Sequence, residues 1–116
     1  MSQYTEAAVK TYRAAGALAQ HLRVTRDGSG NMVVADASTL ELGVTERASF
    51  AALDDIPVRI RSAQGTVIFT ALVAIAVGGD VFAAAGGKVA ATGTVLLGTA
   101  EMASTADGDF IEVLRV

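Results

Sequence analysis

The sequence predicts an all-β protein, a small β-barrel or sandwich built from two pseudo-repeated halves with a short N-terminal arm. Three observations lead there. Short runs rich in Val, Ile, Leu and Thr alternate with Gly, Asp and Ser clusters about every 8–12 residues, the spacing of sandwiches and barrels. The second half of the chain echoes the first. Apolar residues make up 52% of the 116, but Ala and Val carry much of that share, with four Phe, two Tyr and no Trp. Small side chains fill thin spaces, so the expected core is narrow.

Residues 1–10 are expected to form the arm and 11–116 a single β domain, with halves at about 11–60 and 68–116. Between Tyr4 and Ala15 four alanines suit a helix, but Val9, Thr11 and Tyr12 favour strand and no cap is visible. The expected strands run Val9–Arg13, Leu22–Arg26, Met32–Ala35, Leu40–Glu46, Ile56–Arg61, Thr66–Thr70, Asp80–Ala83, Lys88–Ala91, Val95–Ala100 and Phe110–Val116. Alternation places Leu40, Leu42 and Val44 inward against Glu41 and Thr45, and Val58 and Ile60 inward against Arg59 and Arg61. Turns are marked by Asp27-Gly28-Ser29-Gly30, Gln64-Gly65, Gly78-Gly79, Gly86-Gly87 and Asp107-Gly108. Pro57, lacking an N–H, suits an edge or a strand start. The expected core comprises Leu42, Val44, Val58, Ile60, Leu97, Ile111 and Val113.

The repeat is explicit. At an offset of 57, Tyr12–Ala35 aligns with Phe69–Thr92, matching Ala14 to Ala71, Val24 to Val81 and Gly30 to Gly87. At an offset of 55, LGVTERAS from Leu42 aligns with LGTAEMAS from Leu97, and Asp54, Ile56 and Val58 fall on Asp109, Ile111 and Val113. The expected product is two similar β units that cannot each bury an apolar face alone and close on one another. The repeated Leu-Gly marks a strand where a missing Cβ admits another backbone.

Composition excludes several classes. With no cysteine there is no disulfide framework, thiolate metal site or thiol nucleophile. Nine basic and twelve acidic residues are scattered along the chain, without the basic stripe expected of a nucleic-acid binder. Glu6, Lys10 and Arg13 stand where a signal peptide needs an apolar core. The uncharged run from Val67 to Gly79 is 13 residues, too short to span a bilayer. The expectation is a soluble protein made in the cytosol.

The chemistry-bearing residues favour bland readings. His21, the lone histidine, has no assignable Ser and Asp partners and is expected at a surface or rim. Asp27-Gly28-Ser29-Gly30-Asn31 begins like a calcium loop but has Met32 at the sixth position and Ser38 at the twelfth, so a hairpin turn is expected. Gly28-Ser29-Gly30 lacks the Lys-Ser/Thr of a phosphate loop. Asp54-Asp55 and Asp107/Asp109 precede strands, where acidic turn residues are ordinary. No catalytic, cofactor-binding or metal-binding residue is expected. The partner-binding candidates are Tyr4 and Tyr12 near the N-terminus with Val9 and Lys10 beside them, and Arg59 and Arg61 on one strand face.

The order of segments resembles the capsid decoration, or cement, proteins of tailed phages. TYRAAGALAQ from Thr11 stands where those proteins have a YTAGAAIAAG-like stretch, and HLRV from His21 follows. Leu42-Gly43-Val44, IPVRIRSAQGTVIF from Ile56 and IAVGGDVF from Ile75 match later segments, and LLGTAE from Leu96 and GDFIEVLRV from Gly108 close the chain. Ser62-Ala63-Gln64-Gly65 departs from the pattern, where an acidic residue before the Gly is commoner. The resemblance covers residues 10–116. It implies a non-catalytic virion protein on the capsid exterior, made in the host cytoplasm and stabilising the shell. The implied partner is the major capsid protein, with a homo-oligomer (trimer or dimer) on the capsid, no nucleic acid and no membrane. An alternative is a clip-like domain binding a sugar or other small ligand, since AIAVGGDVF from Ala74 resembles the turn of such domains.

Overall fold

The computed structural model describes residues 8–63 and 65–115. Five strands, β1 (Val9–Arg13), β2 (Arg23–Arg26), β3 (Met32–Val34), β4 (Gly43–Thr45) and β5 (Asp55–Ile60), form an antiparallel sheet ordered β1-β5-β4-β2-β3. Five more, β6 (Thr66–Thr70), β7 (Asp80–Ala83), β8 (Val89–Ala90), β9 (Leu96–Ala100) and β10 (Phe110–Arg115), form a second, ordered β6-β10-β9-β7-β8. The second order is the first with every number raised by five. Apart from a single 3-10 turn at Ala85–Gly87, the described residues hold no helix. The fold is all-β, as the sequence predicts.

Each sheet curls until its outer strands meet. At the end of β1, Ala14 bridges to Met32 of β3, and the N–H of Ala15 donates to the Met32 carbonyl at 2.8 Å. In the second half Ala71 bridges to Val89, with Leu72 donating to Val89 at 2.8 Å. These contacts occupy sheet edges that would otherwise expose unpaired backbone groups. The result is two small barrel-like rolls, one per half.

Correspondence between the halves extends to individual backbone positions. Left-handed residues recur as His21 (φ 58°) and Gly78 (φ 78°), as Gly30 (φ 83°) and Gly87 (φ 73°), and as Leu53 (φ 68°) and Gly108 (φ 93°). The aligned glycines Gly43 and Gly98 explain the repeated Leu-Gly. A Cβ on Gly43 would stand against the Arg59 carbonyl oxygen, and one on Gly98 against the Leu114 carbonyl oxygen. Only a residue without a side chain lets these strands lie side by side.

The core corrects one expectation. Instead of a face shared between halves, there are two apolar clusters. Ala14, Leu18, Val24, Met32, Ile56 and Val58 fill the first roll. Phe69, Val81, Leu97, Ile111, Val113 and their neighbours fill the second, with Val44 reaching in from the first. A roll closed on itself can bury its own inner face, so the halves need each other less than an open sheet would.

Alternation around β4 is also corrected. Leu40 is exposed and Leu42 half-buried, whereas Glu41 and Thr45 are fully buried. The strand begins only at Gly43, so period-two reasoning does not reach residues 40–42. Ile60, at the end of β5, is half-buried rather than part of the core. Val9 and Lys10 are corrected too, because they pair with Arg59 and Val58 inside the first sheet. An arm covering all of residues 1–10 is therefore too long.

Candidate docking surfaces

Three arginine and glutamate side chains clasp the rolls together. Arg23 on β2 is fully buried and donates to five carbonyls: Thr39 at 3.1 Å, Ala35 at 3.3 Å and Asp36 at 2.9 Å in its own half, Lys88 at 3.0 Å and Ala84 at 2.7 Å in the other. Burial pushes the Arg23 pKa down, while the Glu41 and Asp36 carboxylates oppose that shift. Glu41 accepts at 2.6 Å from Arg115 on β10, and its Oε1 lies 3.9 Å from Arg23 Nη1. This arrangement fixes the relative placement of the rolls. With every donor of Arg23 turned to backbone or carboxylate, it is a structural clasp.

The partner-binding candidates do not form one surface. Tyr4 lies outside the described residues. Val9 sits at the start of β1. Tyr12 is half-buried against the first core, with Lys10 Nζ 5.5 Å and Arg26 Cζ 6.0 Å from its ring centroid. Arg61 is exposed and donates to the Glu41 carbonyl at 2.8 Å. Arg59 is half-buried and lines a different depression, with His21, Glu46 and Thr66, where the two halves meet. The two arginines thus address different parts of the molecule, which corrects the expectation of one outward face.

Tyr12 and Arg61 do come together. With Leu40, Leu42, Ile60 and Arg26 they line an open hollow of about 380 Å³ on the first roll. Its lining is mixed: Tyr12 and three aliphatic side chains stand beside Thr25, Ser62 and the two exposed arginines.

Sequence reasoning passed over two apolar outcrops. Phe50 is 86% exposed and Leu53 58%, both on the loop between β4 and β5. In the second roll, Val73 and Val77 are exposed on the loop after β6, and Met102 on the loop after β9. Paired backbone bonds between Ile75 and Ser104, at 3.2 and 3.0 Å, hold those two loops together. The signal was available in the repeat: Phe50 and Leu53 align with Thr105 and Gly108, while Val73, Val77 and Met102 align with Gly16, Gln20 and Arg47.

Three aspartates serve turns. Asp54 Oδ2 accepts from the N–H groups of Phe50 at 3.0 Å and Ala51 at 3.1 Å, and Asp109 Oδ2 from those of Thr105 at 2.8 Å and Ala106 at 3.1 Å. Those bonds, led by the Thr105 N–H, hold the Asp109 pKa below its ordinary value. Asp27 Oδ1 accepts from Ser29 at 2.8 Å and Asn31 at 3.0 Å, closing the β2–β3 hairpin. Lys88 pairs with Asp107 at 2.6 Å. Among the described residues no group of three or more His, Asp or Glu side chains is placed to hold a metal ion. Neither a known family model nor a curated protein matches this chain.

Proposed function

We propose that the chain is a structural protein of a tailed-phage virion that binds the outside of the capsid and stabilises the shell. The observation that carries this reading is the order of decoration-like segments from Thr11 to Val116. The all-β fold, whose buried charges join its two rolls, supports a reading in which the protein acts through its surface. On this reading the second roll's outcrop of Val73, Val77 and Met102 meets the major capsid protein. The first roll closes in the same manner with Gly16, Gln20 and Arg47 at the aligned positions, so the apolar residues are not a requirement of the fold. Exposed apolar clusters of this kind mark interaction sites.

Purified protein, mixed with capsids of the encoding phage stripped of decoration, should co-sediment and raise the temperature at which the shells open. The double variant Val77→Gln/Met102→Arg, which installs the aligned residues of the first roll, should keep its fold and lose at least about tenfold in affinity. No co-sedimentation of the unaltered protein would reject the capsid reading. Undiminished binding of the variant would reject the outcrop and leave the segment containing Tyr4, tested by deleting residues 2–7, as the contact.

A further inference from the structure

The molecule contains its own control for what its loops need. The β4–β5 loop and the β9–β10 loop are held by the same bonds: an aspartate, Asp54 or Asp109, accepts from two backbone N–H groups at the middle of its loop. A serine, Ser49 or Ser104, ties each loop to the preceding one through Leu18 or Ile75. Yet one tip carries Phe50 and Leu53 where the other carries Thr105 and Gly108. Leu53 is left-handed at φ 68°, a conformation disfavoured for a residue with a Cβ, while its counterpart is glycine. Folding therefore explains neither the aromatic ring, 86% exposed, nor the strained leucine, 58% exposed. A partner does.

We propose that this tip docks in the Tyr12 hollow of a second copy of the chain, head to tail. Two features select that occupant. The tip is an exposed apolar knob, and the hollow is a concavity of about 380 Å³ whose lining includes Tyr12, Leu40, Leu42 and Ile60. Their charges are complementary, since the exposed Asp55, held by Arg13 only at 3.9 Å, follows the knob and the exposed Arg26 and Arg61 line the hollow. Phe50 and Leu53 stand exposed and do not line the hollow of their own chain, although Tyr12 on its near side pairs with Ile56, so each subunit offers both a donor and an acceptor. Such a heterologous contact closes into a ring or propagates as a filament. One aromatic side chain buries roughly 150–250 Å², well short of a standard interface, so each contact is weak and a ring gains by giving every subunit two.

The contact is between copies of the chain, and it is measured without capsids, so it stands or falls apart from the capsid reading. Sedimentation equilibrium from about 1 μM to about 1 mM should show the 11.8 kDa chain associating, to a fixed multiple for a ring or without limit for a filament. A knob variant, Phe50→Thr/Leu53→Gly, installs the second roll's own residues and should be folded and monomeric. A hollow variant, Leu40→Glu at an exposed position, should also be monomeric. Mixed, the two should form a 1:1 pair and nothing larger, because one intact knob and one intact hollow remain. A monomeric unaltered protein at the highest concentration, a knob variant that keeps the oligomer, or a mixture that stays monomeric each overturns the proposal.

Discussion

His21 adopts a left-handed backbone where the aligned residue is Gly78, and histidine is among the side chains that tolerate it. Its carbonyl accepts from both the N–H, at 3.1 Å, and the hydroxyl, at 3.0 Å, of Thr70, so it joins the first half to the second. The ring meets Phe110 edge-on at 4.8 Å. Burial lowers the His21 pKa, and the nearby Glu46 charge only partly opposes this. The unfolded chain then binds the proton more readily, with an ordinary value near 6.5. Stability is fully present above that value and is lost as pH falls through the lower, folded one. Urea midpoints between about pH 7.5 and 5 should fall more for the native protein than for His21→Asn, which keeps the left-handed backbone and cannot titrate. Parallel profiles would remove His21 as the cause, because Asp36 and Asp109, both held low by hydrogen bonds, titrate below the ordinary carboxylate range. A rim histidine was legible in the sequence. Its contact with Phe110 was not, because the two residues are joined only by the packing of separate halves.

At the scale of elements, all ten strands were legible from runs of Val, Ile and Thr bounded by Gly and Asp, because a thin-cored β protein punctuates every strand with a turn. Closure of each sheet depended on signals the alignment already contained. Ser49 Oγ accepts from the Leu18 N–H at 2.9 Å and donates to the Gly16 carbonyl at 2.8 Å; Ser104 does the same with Ile75 and Val73, both at 3.0 Å. These conserved-in-register serines are why LGVTERAS and LGTAEMAS end alike. Ser49→Ala and Ser104→Ala should each destabilise by about 1 kcal/mol, toward the low side because Leu18 and Ile75 also donate to the serine carbonyls, at 3.1 and 3.2 Å. The two sit in different rolls with no shared partner, so the double variant should lose close to the sum in a urea titration. A double variant no worse than either single one would show that the loops act as one unit. The knob and hollow were harder to read, since strand patterning says nothing of which loop residues face water.

Across the whole molecule the clasp decides how the rolls are joined, and it breaks the internal likeness. Arg23, Glu41 and Arg115 align with Asp80, Leu96 and Ile60, so neither half can form the clasp with a copy of itself. Alternation turned Glu41 outward because its partner Arg115 is 74 residues away, beyond any local pattern. The members of the clasp should differ in replaceability. Glu41→Leu strands a buried charge on Arg23 and should cost about 3–5 kcal/mol. Adding Arg115→Met should recover part of that loss, since an ion pair exchanged for apolar groups of similar size is often neutral. Arg23→Met should be the worst of the three, because no apolar side chain can satisfy its five carbonyls, two of them in the other roll. Calorimetry would separate these cases. The native protein should unfold in one transition with matching calorimetric and van't Hoff enthalpies, and Arg23→Met, losing the tie, should split it into two as the rolls melt on their own cores. A native protein that already melts in two steps would show that the clasp orients the rolls without coupling them.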